Sequence, residues 1–496
     1  MSRWNLSWLL GITAATVVGL SLTYSAPARN GQLSKKHENL RLLVEVMEEV
    51  KEKYVKDLSE TEMREFVEDM VELALERRDP YSGYLNPREY EDFKKQSRGK
   101  FGGIGIRIGV EPKTGQIFVE SPMVGTPAYE AGVMAGDLIV KVDGVKTENI
   151  SLKKVVEMIQ GEPDQKVTLT VLHEGSKKPV DIEIVRAEIV VDSILGDRRL
   201  EKNLKEWDFW IDPATKIAYI RLTAFTETTA ADMTKVVEKL QKEGMRGLII
   251  DLRQNPGGLL RAAVEISSLF LPEGKRVVTT KGRNHKEEVY NSQSIPSVQP
   301  SGYPVAILIN RWSASASEIV AAALQDHLRA VIIGERSYGK GSVQNIIPVE
   351  SGASALKLTT ASYWRPSEKN IHRFPTSKTT DDWGVKPTKG YEVELSDEER
   401  LEYYKDRRER DNVRRKDNGK DKGKDNGKDD QNGKADSKKK KEPFKDRVME
   451  KALEYVRGEL KRGNNAGAQA PAPRPAPAAI VPAAIVPAAS ASAARQ

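Results

Sequence analysis

The 496-residue chain contains no cysteine. A chain without cysteine can form no disulfide framework, no thiolate zinc site and no cysteine nucleophile. Histidine is scarce as well. The five histidines, at positions 37, 173, 285, 327 and 372, are scattered and do not show the His-Glu-x-x-His spacing of a metal site. The sequence therefore excludes thiol chemistry and gives no indication of a histidine metal centre.

Apolar residues are also few. They make up 39% of the chain, charged residues make up 30%, and the mean hydropathy is −0.53. This composition predicts two or three folded units together with some disordered length. The net charge of +7 would suit a polyanionic partner. Much of the lysine and arginine lies in one low-complexity stretch near the C-terminus, however, so the net charge says little about the folded part.

One apolar run lies near the N-terminus, from about Trp8 to Leu22, between Arg3 and Ala26-Pro-Ala28. It is short for a membrane-spanning helix, which needs about 20 apolar residues. The pattern predicts export, with residues 1–30 serving as a signal peptide or a membrane anchor. Proline between the two alanines is a poor cleavage context and leaves both alternatives open. We expect the protein to be extracytoplasmic, in the periplasm or cell envelope, either soluble or anchored by this segment.

Residue periodicity divides the folded part into three regions. Helical spacing predicts an N-terminal helical region at 33–98. Short alternating runs with turn signals predict a small β-rich module at 99–190. From 193 to 395, strands and helices alternate, which favours an α/β core with helices packed on a sheet.

The C-terminal region is different in composition. Residues 405–443 are almost all Lys, Arg, Asp, Asn and Gly, which predicts a charged, disordered insert. A solvated tether is its simpler interpretation, and a polymer-binding patch is the alternative. Helical spacing returns at 444–462, and an Ala/Pro-rich, disordered tail occupies 463–496.

A Ser/Ala run, Ser313-Ala-Ser-Ala-Ser317, follows a predicted buried strand and opens a helix. A serine at this place lies beside unpaired backbone N–H groups at the positive end of the helix dipole. Such groups suit the oxyanion of an acyl-transfer intermediate. A helix cap is the simpler interpretation, because Ser315 and Glu318 alone satisfy the capping-box pattern.

A serine nucleophile also needs a base. His327 lies near the far end of the same predicted helix, about 15 Å away along its axis, and cannot reach the serine. Lys340 follows the next predicted strand, so a returning loop could bring it back to the serine. As a base it must be neutral, which requires burial. Gly334–Lys340 also comes close to a phosphate-binding loop, but Gly341 stands where that motif requires Ser or Thr.

A third segment, Asn255-Pro-Gly-Gly258, directly follows an apolar strand. It fits a tight turn. It also fits a backbone N–H donor that completes an oxyanion hole.

Taken together and in order, these segments resemble the C-terminal processing (tail-specific) serine peptidases that carry a PDZ domain. The matching segments span about residues 40–395, and as an ordered set they are specific although each is short. They are Asp79-Pro-Tyr-Ser, Phe101-Gly-Gly-Ile-Gly-Ile, Pro127-Ala with Ala131-Gly-Val and Gly136-Asp, Asp251-Leu-Arg with Asn-Pro-Gly-Gly258, Ser313-Ala-Ser-Ala-Ser-Glu-Ile319, Ala323-Leu-Gln-Asp326 and Gly339-Lys-Gly-Ser-Val-Gln344.

The resemblance implies roles for individual residues. Ser315 would be the nucleophile, Lys340 the base, and Gln344 the residue that orients the lysine. Asp326 matches a family aspartate with a supportive role. The oxyanion hole would consist of main-chain N–H groups from Ala316 and from Gly257 or Gly258.

The resemblance also implies the fold and the way in which substrate is recognised. The fold would be a crotonase-like α/β protease core with the PDZ domain inserted near its start. Four residues resemble the PDZ loop that grips a substrate's terminal carboxylate while the peptide adds to the sheet as a strand: Gly103, Ile104, Gly105 and Ile106.

The expected function is that of an exported serine endopeptidase that cleaves protein substrates near their C-termini. No metal or organic cofactor is implied. The expected partners are proteins or peptides with exposed C-termini and not nucleic acid, and a homo-oligomer or an adaptor protein is left open. The alternative is a catalytically silent PDZ adaptor, against which the intact Ser315, Lys340 and Gln344 argue. A nucleotide-dependent enzyme is a distant third.

Overall fold

In a computed structural model, the structure describes residues 30–111, 114–298, 300, 302–411 and 444–465. The predicted signal peptide or anchor up to residue 29, the charged insert from 412 to 443 and the tail from 466 onward lie outside the described residues. Within those residues no helix combines the length and apolar character that crossing a membrane requires. The chain divides into two compact units, Met1–Asn86 and Pro87–Gln496.

The first unit contains helices α1 (Asn30–Lys53) and α2 (Glu60–Glu76) and the short strand β1 (Gly83–Leu85). A capping box starts α2: Ser59 Oγ accepts the Glu62 N–H at 3.2 Å, and the Glu62 carboxylate accepts the Ser59 N–H at 2.9 Å. Glu72 on α2 accepts the Tyr84 N–H at 2.6 Å and so ties β1 to the helix.

The second unit opens with helix α3 (Pro87–Arg98) and a β-rich module. Its elements in chain order are β2 (Lys100–Gly103), β3 (Ile106–Val110), β4 (Ile117–Pro122), α4 (Pro127–Glu130), β5 (Leu138–Val142), β6 (Val145–Lys146), α5 (Leu152–Ile159), β7 (Lys166–Leu172), β8 (Val180–Val185) and β9 (Ala187–Val190). An antiparallel sheet has the order β3-β4-β5-β7-β8, β6 pairs with β5, and β2 pairs with β9.

Alternation along the strands builds the core of this module. Val167, Leu169 and Val171 occupy every second position of β7 and are fully buried. They belong to one apolar cluster with Val155 and Ile159 of α5. Strand β3 lies at the edge of the sheet and, among the described strands, pairs only with β4. This module therefore presents an edge strand close to helix α5.

The α/β core follows. Its first strands are β10 (Ile194–Leu195), β11 (Arg198–Leu200), β12 (Asn203–Asp208), β13 (Trp210–Asp212) and β14 (Ile217–Leu222); then come α6 (Thr229–Lys242), β15 (Gly247–Asp251), α7 (Leu260–Ser268), β16 (Arg276–Gly282), β17 (His285–Asn291), β18 (Val305–Ile309), α8 (Ala316–Asp326), β19 (Val331–Gly334), β20 (Ser342–Val349), a 3-10 turn (Glu350–Gly352) and β21 (Ser354–Trp364). One sheet has the order β10-β14-β15-β18-β19, in which the last four strands run parallel. Strands β17-β16-β21-β20 form an antiparallel array.

Both faces of the parallel sheet are covered, which explains why its strands are almost continuously apolar. Side chains alternate between two apolar clusters: Ile220 and Ile250 face helices α6, α7 and α8, and Tyr219 and Ile249 lie on the other face. The second cluster is completed from the C-terminal end of the chain by helix α10 (Arg447–Asn465). The helix predicted at 444–462 is therefore packed on the core.

Helix α9 (Asp397–Asp411) corrects one prediction. The charged insert was expected to begin at 405, but the structure continues the helix through Asp411. The physical reason is pairing: Arg407 is buried between Asp411 and Asp197, so its charge is compensated inside the fold. Composition alone shows only a run of charges. It does not reveal that Arg407 has a partner in Asp197, 210 residues away.

Candidate active site

Three loops meet at the carboxyl edge of the parallel sheet, where open α/β sheets usually bind ligands. The glycine loop, 252–259, follows β15 and leads into α7. The serine loop, 310–315, follows β18 and leads into α8. The lysine loop, 335–341, follows β19 and leads into β20. Because β15, β18 and β19 are parallel neighbours, their carboxyl ends place the three loops side by side.

Ser315 forms a strained turn between β18 and α8. Its φ of 56° and ψ of −116° lie in a region that non-glycine residues rarely adopt. Ser313 and Ser317 are fully buried, and their hydroxyls donate to the main-chain oxygens of Leu252 (2.8 Å) and Asn255 (3.0 Å). The Ser315 hydroxyl makes no such donation to a carbonyl within the described part of the chain. Of the three serines, Ser315 is therefore the one whose hydroxyl is not donated to a main-chain oxygen among the described residues.

The Glu318 carboxylate, fully buried on the first turn of α8, joins the serine loop to the lysine loop. Its Oε2 accepts the N–H groups of Ser315 and Lys340, each at 2.8 Å. Its Oε1 accepts the Gly339 N–H at 2.7 Å and the Ser337 hydroxyl at 2.5 Å. The backbone nitrogens of Ser315 and Lys340 share one oxygen and so lie no farther apart than twice 2.8 Å.

Burial raises the pKa of Glu318 to about 7, since desolvation outweighs the hydrogen bonds that stabilise its charged form. The predicted capping pattern thus identified Glu318, but only as the partner of Ser315. Nothing in the sequence indicates that the same carboxylate also binds the loop that carries Lys340.

Asn255 fixes the glycine loop against the serine loop. This fully buried residue donates through Nδ2 to the Leu222 oxygen at 2.9 Å, and its Oδ1 accepts the Gly257 N–H at 2.8 Å. Its own main-chain oxygen accepts the Ala314 N–H at 3.0 Å. Asn255 therefore connects the glycine loop to the residue that immediately precedes Ser315.

Gly257 lies directly against the strained serine. Its φ is 98°, and a Cβ atom built on it would be 2.7–2.9 Å from Ala314 O, Ser315 Cβ and Ala316 N. The position requires glycine for both its conformation and its close approach. The Gly257 N–H donates to Asn255 and the Leu259 N–H donates to the Phe225 oxygen. The Gly258 N–H, between them, has no hydrogen-bond partner among the described residues.

The lysine loop is held from its other side by residues 371–385. Val385 N–H donates to Ser337 Oγ at 2.7 Å, and Arg373 N–H donates to the Gly339 oxygen at 2.8 Å. A Cβ atom on Gly341 would overlap the backbone of His372. The glycine next to Lys340 is thus needed for packing.

Gln344 lies on β20, four residues after Lys340. Its Nε2 donates to Ser342 Oγ at 2.8 Å and to Thr359 Oγ1 at 3.1 Å, which fixes the orientation of the amide. Gln344 thus lies on the strand that follows the lysine loop, three residues beyond the end of that loop.

Asp326 lies at the opposite end of α8 from Ser315, about 15 Å away along the helix axis. Its carboxylate binds Arg365 through contacts of 2.6 and 3.0 Å and accepts the Ser367 N–H at 3.0 Å. The structure therefore does not bring Asp326 together with the other predicted site residues. The described residues also contain no cluster of three or more His, Asp or Glu side chains that could hold a metal ion.

The predicted carboxylate-binding loop lies between β2 and β3 of the β-rich module. The Ile104 oxygen accepts the Ala128 N–H at 2.9 Å, and the Gly105 oxygen accepts the Met123 N–H at 2.8 Å. Gly105 has a φ of 77°. The carbonyls of this loop are thus used within the module.

Comparison with known proteins identifies the family. The family model of peptidase family S41 matches residues 216–388, and a PDZ domain model matches residues 118–172. A carboxy-terminal-processing protease of Bartonella bacilliformis is 36% identical over 384 residues, which is 76% of this chain and 82% of that protein. The chain therefore belongs to the family of carboxy-terminal-processing proteases. It is a serine-type peptidase with a PDZ domain, and the resemblance seen in the sequence is confirmed.

Two further relatives have names of the same kind. The carboxy-terminal processing protease CtpA of Bacillus subtilis is 33% identical and covers 66% of this chain and 63% of that protein. Among solved structures, the photosystem II D1 C-terminal processing protease is 26% identical, with a TM-score of 0.40 and coverage of 70% of this chain and 85% of that chain. As a peptidase with a PDZ domain, this member of the carboxy-terminal-processing protease family acts on proteins or peptides.

Proposed function

We propose that this peptidase cleaves proteins near their C-termini through a Ser315–Lys340 dyad. Ser315 would attack the scissile carbonyl, and neutral Lys340 would take the hydroxyl proton and deliver it to the leaving amine. Water, activated by the same lysine, would then hydrolyse the acyl-enzyme. The observation that carries this proposal is the buried Glu318 carboxylate, because one of its oxygens accepts the main-chain N–H groups of both residues.

The oxyanion would be held by main-chain N–H groups at the start of α8. Ala316 N–H is the first donor at the positive end of this helix. Gly258 N–H is the better second candidate, since the Gly257 N–H is already donated to Asn255. Gly257 would instead provide the room that lets the glycine loop approach Ser315. Gln344 would orient Lys340 through the amide oxygen, because its nitrogen donates to two hydroxyls.

Substrate C-termini would be recognised by the PDZ domain. Strand β3 offers an unpaired edge among the described strands, to which an extended peptide can add. The loop Gly103–Ile106 leads into that strand, and its carbonyls are already used within the domain. Its N–H groups would therefore be the groups that meet a terminal carboxylate.

The fold and the location form part of the same proposal. The α/β core at 193–395 would be a crotonase-like fold with the PDZ domain, 99–190, inserted before it. Export to the periplasm or cell envelope is supported by the apolar run at the N-terminus. Residues 1–30 would serve as its signal peptide or anchor.

The test uses an unfolded protein with an apolar C-terminus as substrate. Wild type should cleave it, and Ser315→Ala and Lys340→Ala should not. Lys389→Ala, which removes an exposed lysine, is the matched control and should keep the wild-type rate. Equal rates for wild type and the Ser315→Ala and Lys340→Ala variants would reject the dyad. Conversion of the substrate's terminal carboxylate to an amide should raise KM if the PDZ domain binds it.

A further inference from the structure

The two C-terminal helices reach the loops of the active site through buried ion pairs. Asp446, which precedes α10, binds Arg253 of the glycine loop through contacts of 3.0 and 2.9 Å. Arg400 of α9 binds Glu335, the first residue of the lysine loop, at 2.8 Å. The members of these pairs lie 193 and 65 residues apart in the sequence. Each pair connects a distant helix to one loop.

Arg253 is enclosed by its partners. Its side chain is 2% exposed, and it binds Asp251 at 2.7 Å on one side and Asp446 at 2.9 Å on the other. The ring of Tyr403, on α9, lies 4.4 Å from the guanidinium. Burial alone would raise the pKa of Asp251, but the charge and hydrogen bonds of Arg253 outweigh it and lower that pKa. Arg253 is thus held between two carboxylates and an aromatic ring.

Asp446 is itself held rigidly, because it also caps helix α10. Its Oδ1 accepts the Met449 N–H at 3.1 Å. The apolar side of the helix, with Val448, Ala452 and Val456, is buried against the parallel sheet. The carboxylate therefore presents a fixed position to Arg253, four residues before Gly257.

Glu335 has a similar role on the lysine loop. Besides Arg400, its carboxylate accepts the Leu395 N–H at 3.3 Å and lies 3.4 Å from Arg311 Nε. Arg311 belongs to the serine loop, so Glu335 contacts both loops and α9. Loss of Arg400 would leave a carboxylate that is 9% exposed without its shortest charge partner.

We propose that Asp446 and Arg400 are positioning residues for the peptidase reaction. Asp446 fixes the glycine loop through Arg253, and Arg400 fixes the lysine loop through Glu335. The inference rests on the proposed function, because these loops are catalytic only if Ser315 and Lys340 react. Neither residue touches the reacting atoms. Each fixes the position of a loop that does, the glycine loop for Asp446 and the lysine loop for Arg400.

The test compares Asp446→Asn and Arg400→Gln with Arg457→Gln in the full-length chain. Asparagine still caps a helix, so Asp446→Asn removes the charge but keeps the cap. Arg457 lies on α10, the helix that Asp446 caps, and pairs with Asp212 at 2.6 Å. This ion pair involves none of the three loops, which makes Arg457→Gln the matched control. Measurements are kcat and KM for the unfolded substrate, and the rate at which a fluorophosphonate phosphonylates Ser315 with loss of fluoride, each per folded molecule.

We expect kcat and the phosphonylation rate to fall about tenfold in Asp446→Asn and Arg400→Gln, with KM unchanged, since displaced catalytic groups lose rate before they lose binding. Arg457→Gln should match wild type, and Asp446→Glu, which keeps the charge, should recover part of the rate. Wild-type rates per folded molecule in both test variants, or an equal loss in Arg457→Gln, would overturn the inference. If wild type itself neither cleaves the substrate nor is phosphonylated at Ser315, the proposed function fails, and this inference fails with it.

Discussion

Replacing Glu318 by glutamine removes the charge from the buried carboxylate that joins the serine and lysine loops. The carboxylate has two accepting oxygens, and three main-chain N–H groups and one hydroxyl point at them. Glutamine has only one oxygen. At least one of the N–H groups must therefore face the NH2 group of the new side chain, so the loops should loosen and the peptidase rate should fall.

The effect on stability depends on pH in a direction that the structure fixes. The pKa of Glu318 is about 7 in the folded protein, against an ordinary value of 4.5. The folded state therefore binds more protons than the unfolded state between these values, and stability falls as pH rises through this window. A rise of this size corresponds to about 3 kcal/mol, which is present in full below the unfolded pKa and lost above the folded one. Glutamine does not titrate, so the variant lacks this contribution.

Urea unfolding, followed by tryptophan fluorescence at several pH values between about 4.5 and 8, measures the difference. The stability of wild type minus that of Glu318→Gln should shrink by about 3 kcal/mol across the range and level off at its upper end. Glu227→Gln, which removes an exposed carboxylate, corrects for the general change in net charge. If the difference in unfolding free energy between wild type and Glu318→Gln stays constant within about 0.5 kcal/mol over this pH range, the raised pKa and the reasoning from burial are refuted.

Four other substitutions, at three positions, test the strain at Ser315, the close approach of Gly257 and the structural role of Asp326. Ser315→Gly and Ser315→Ala should both be inactive, but the glycine variant should be more stable by about 1 kcal/mol in urea unfolding, because only glycine adopts the φ of 56° without strain; equal stabilities would contradict a strained turn. Gly257→Ala should fold yet lose about 100-fold in kcat, since its Cβ would be 2.7–2.9 Å from the serine turn, and full activity would show that this contact is irrelevant. Asp326→Asn should lose about 1–3 kcal/mol of stability through its buried pair with Arg365 and keep its kcat per folded molecule; a selective loss of kcat would place Asp326 in the site after all.

Much of the core follows from local sequence pattern. The run Leu248–Ile250 is apolar because both faces of its strand are covered, and the glycines after the strand mark the turn into α7. The same reasoning places Ser315 and Lys340 after neighbouring strands, and parallel neighbours end at one edge of the sheet. The sequence could thus predict that the two loops lie close together.

Long-range pairing could not be predicted in this way. Arg253 and Asp446 are ordinary charged residues in the sequence, and nothing near either of them indicates a partner 193 positions away. Arg407 lies within a run of charges typical of disorder, although it is buried in the fold by two aspartates. Local composition records how many charges a segment carries, while burial depends on whether each charge meets its opposite. These residues are also the ones that sequence reasoning missed around the site.

The capping box and the nucleophile first seemed to be competing interpretations of Ser315. The geometry makes them compatible, because the Glu318 carboxylate takes the main-chain N–H of Ser315 and not its hydroxyl. The cap holds the start of α8, and within the capping box the Ser315 side chain serves as an acceptor and not as a donor. The second oxygen of the same carboxylate then binds Ser337 and Gly339, and so a local helix-start signal becomes the anchor of the lysine loop. A buried carboxylate on the first turn of a helix can in this way use one oxygen for the helix start and the other for a distant loop, and so bring that loop to a serine.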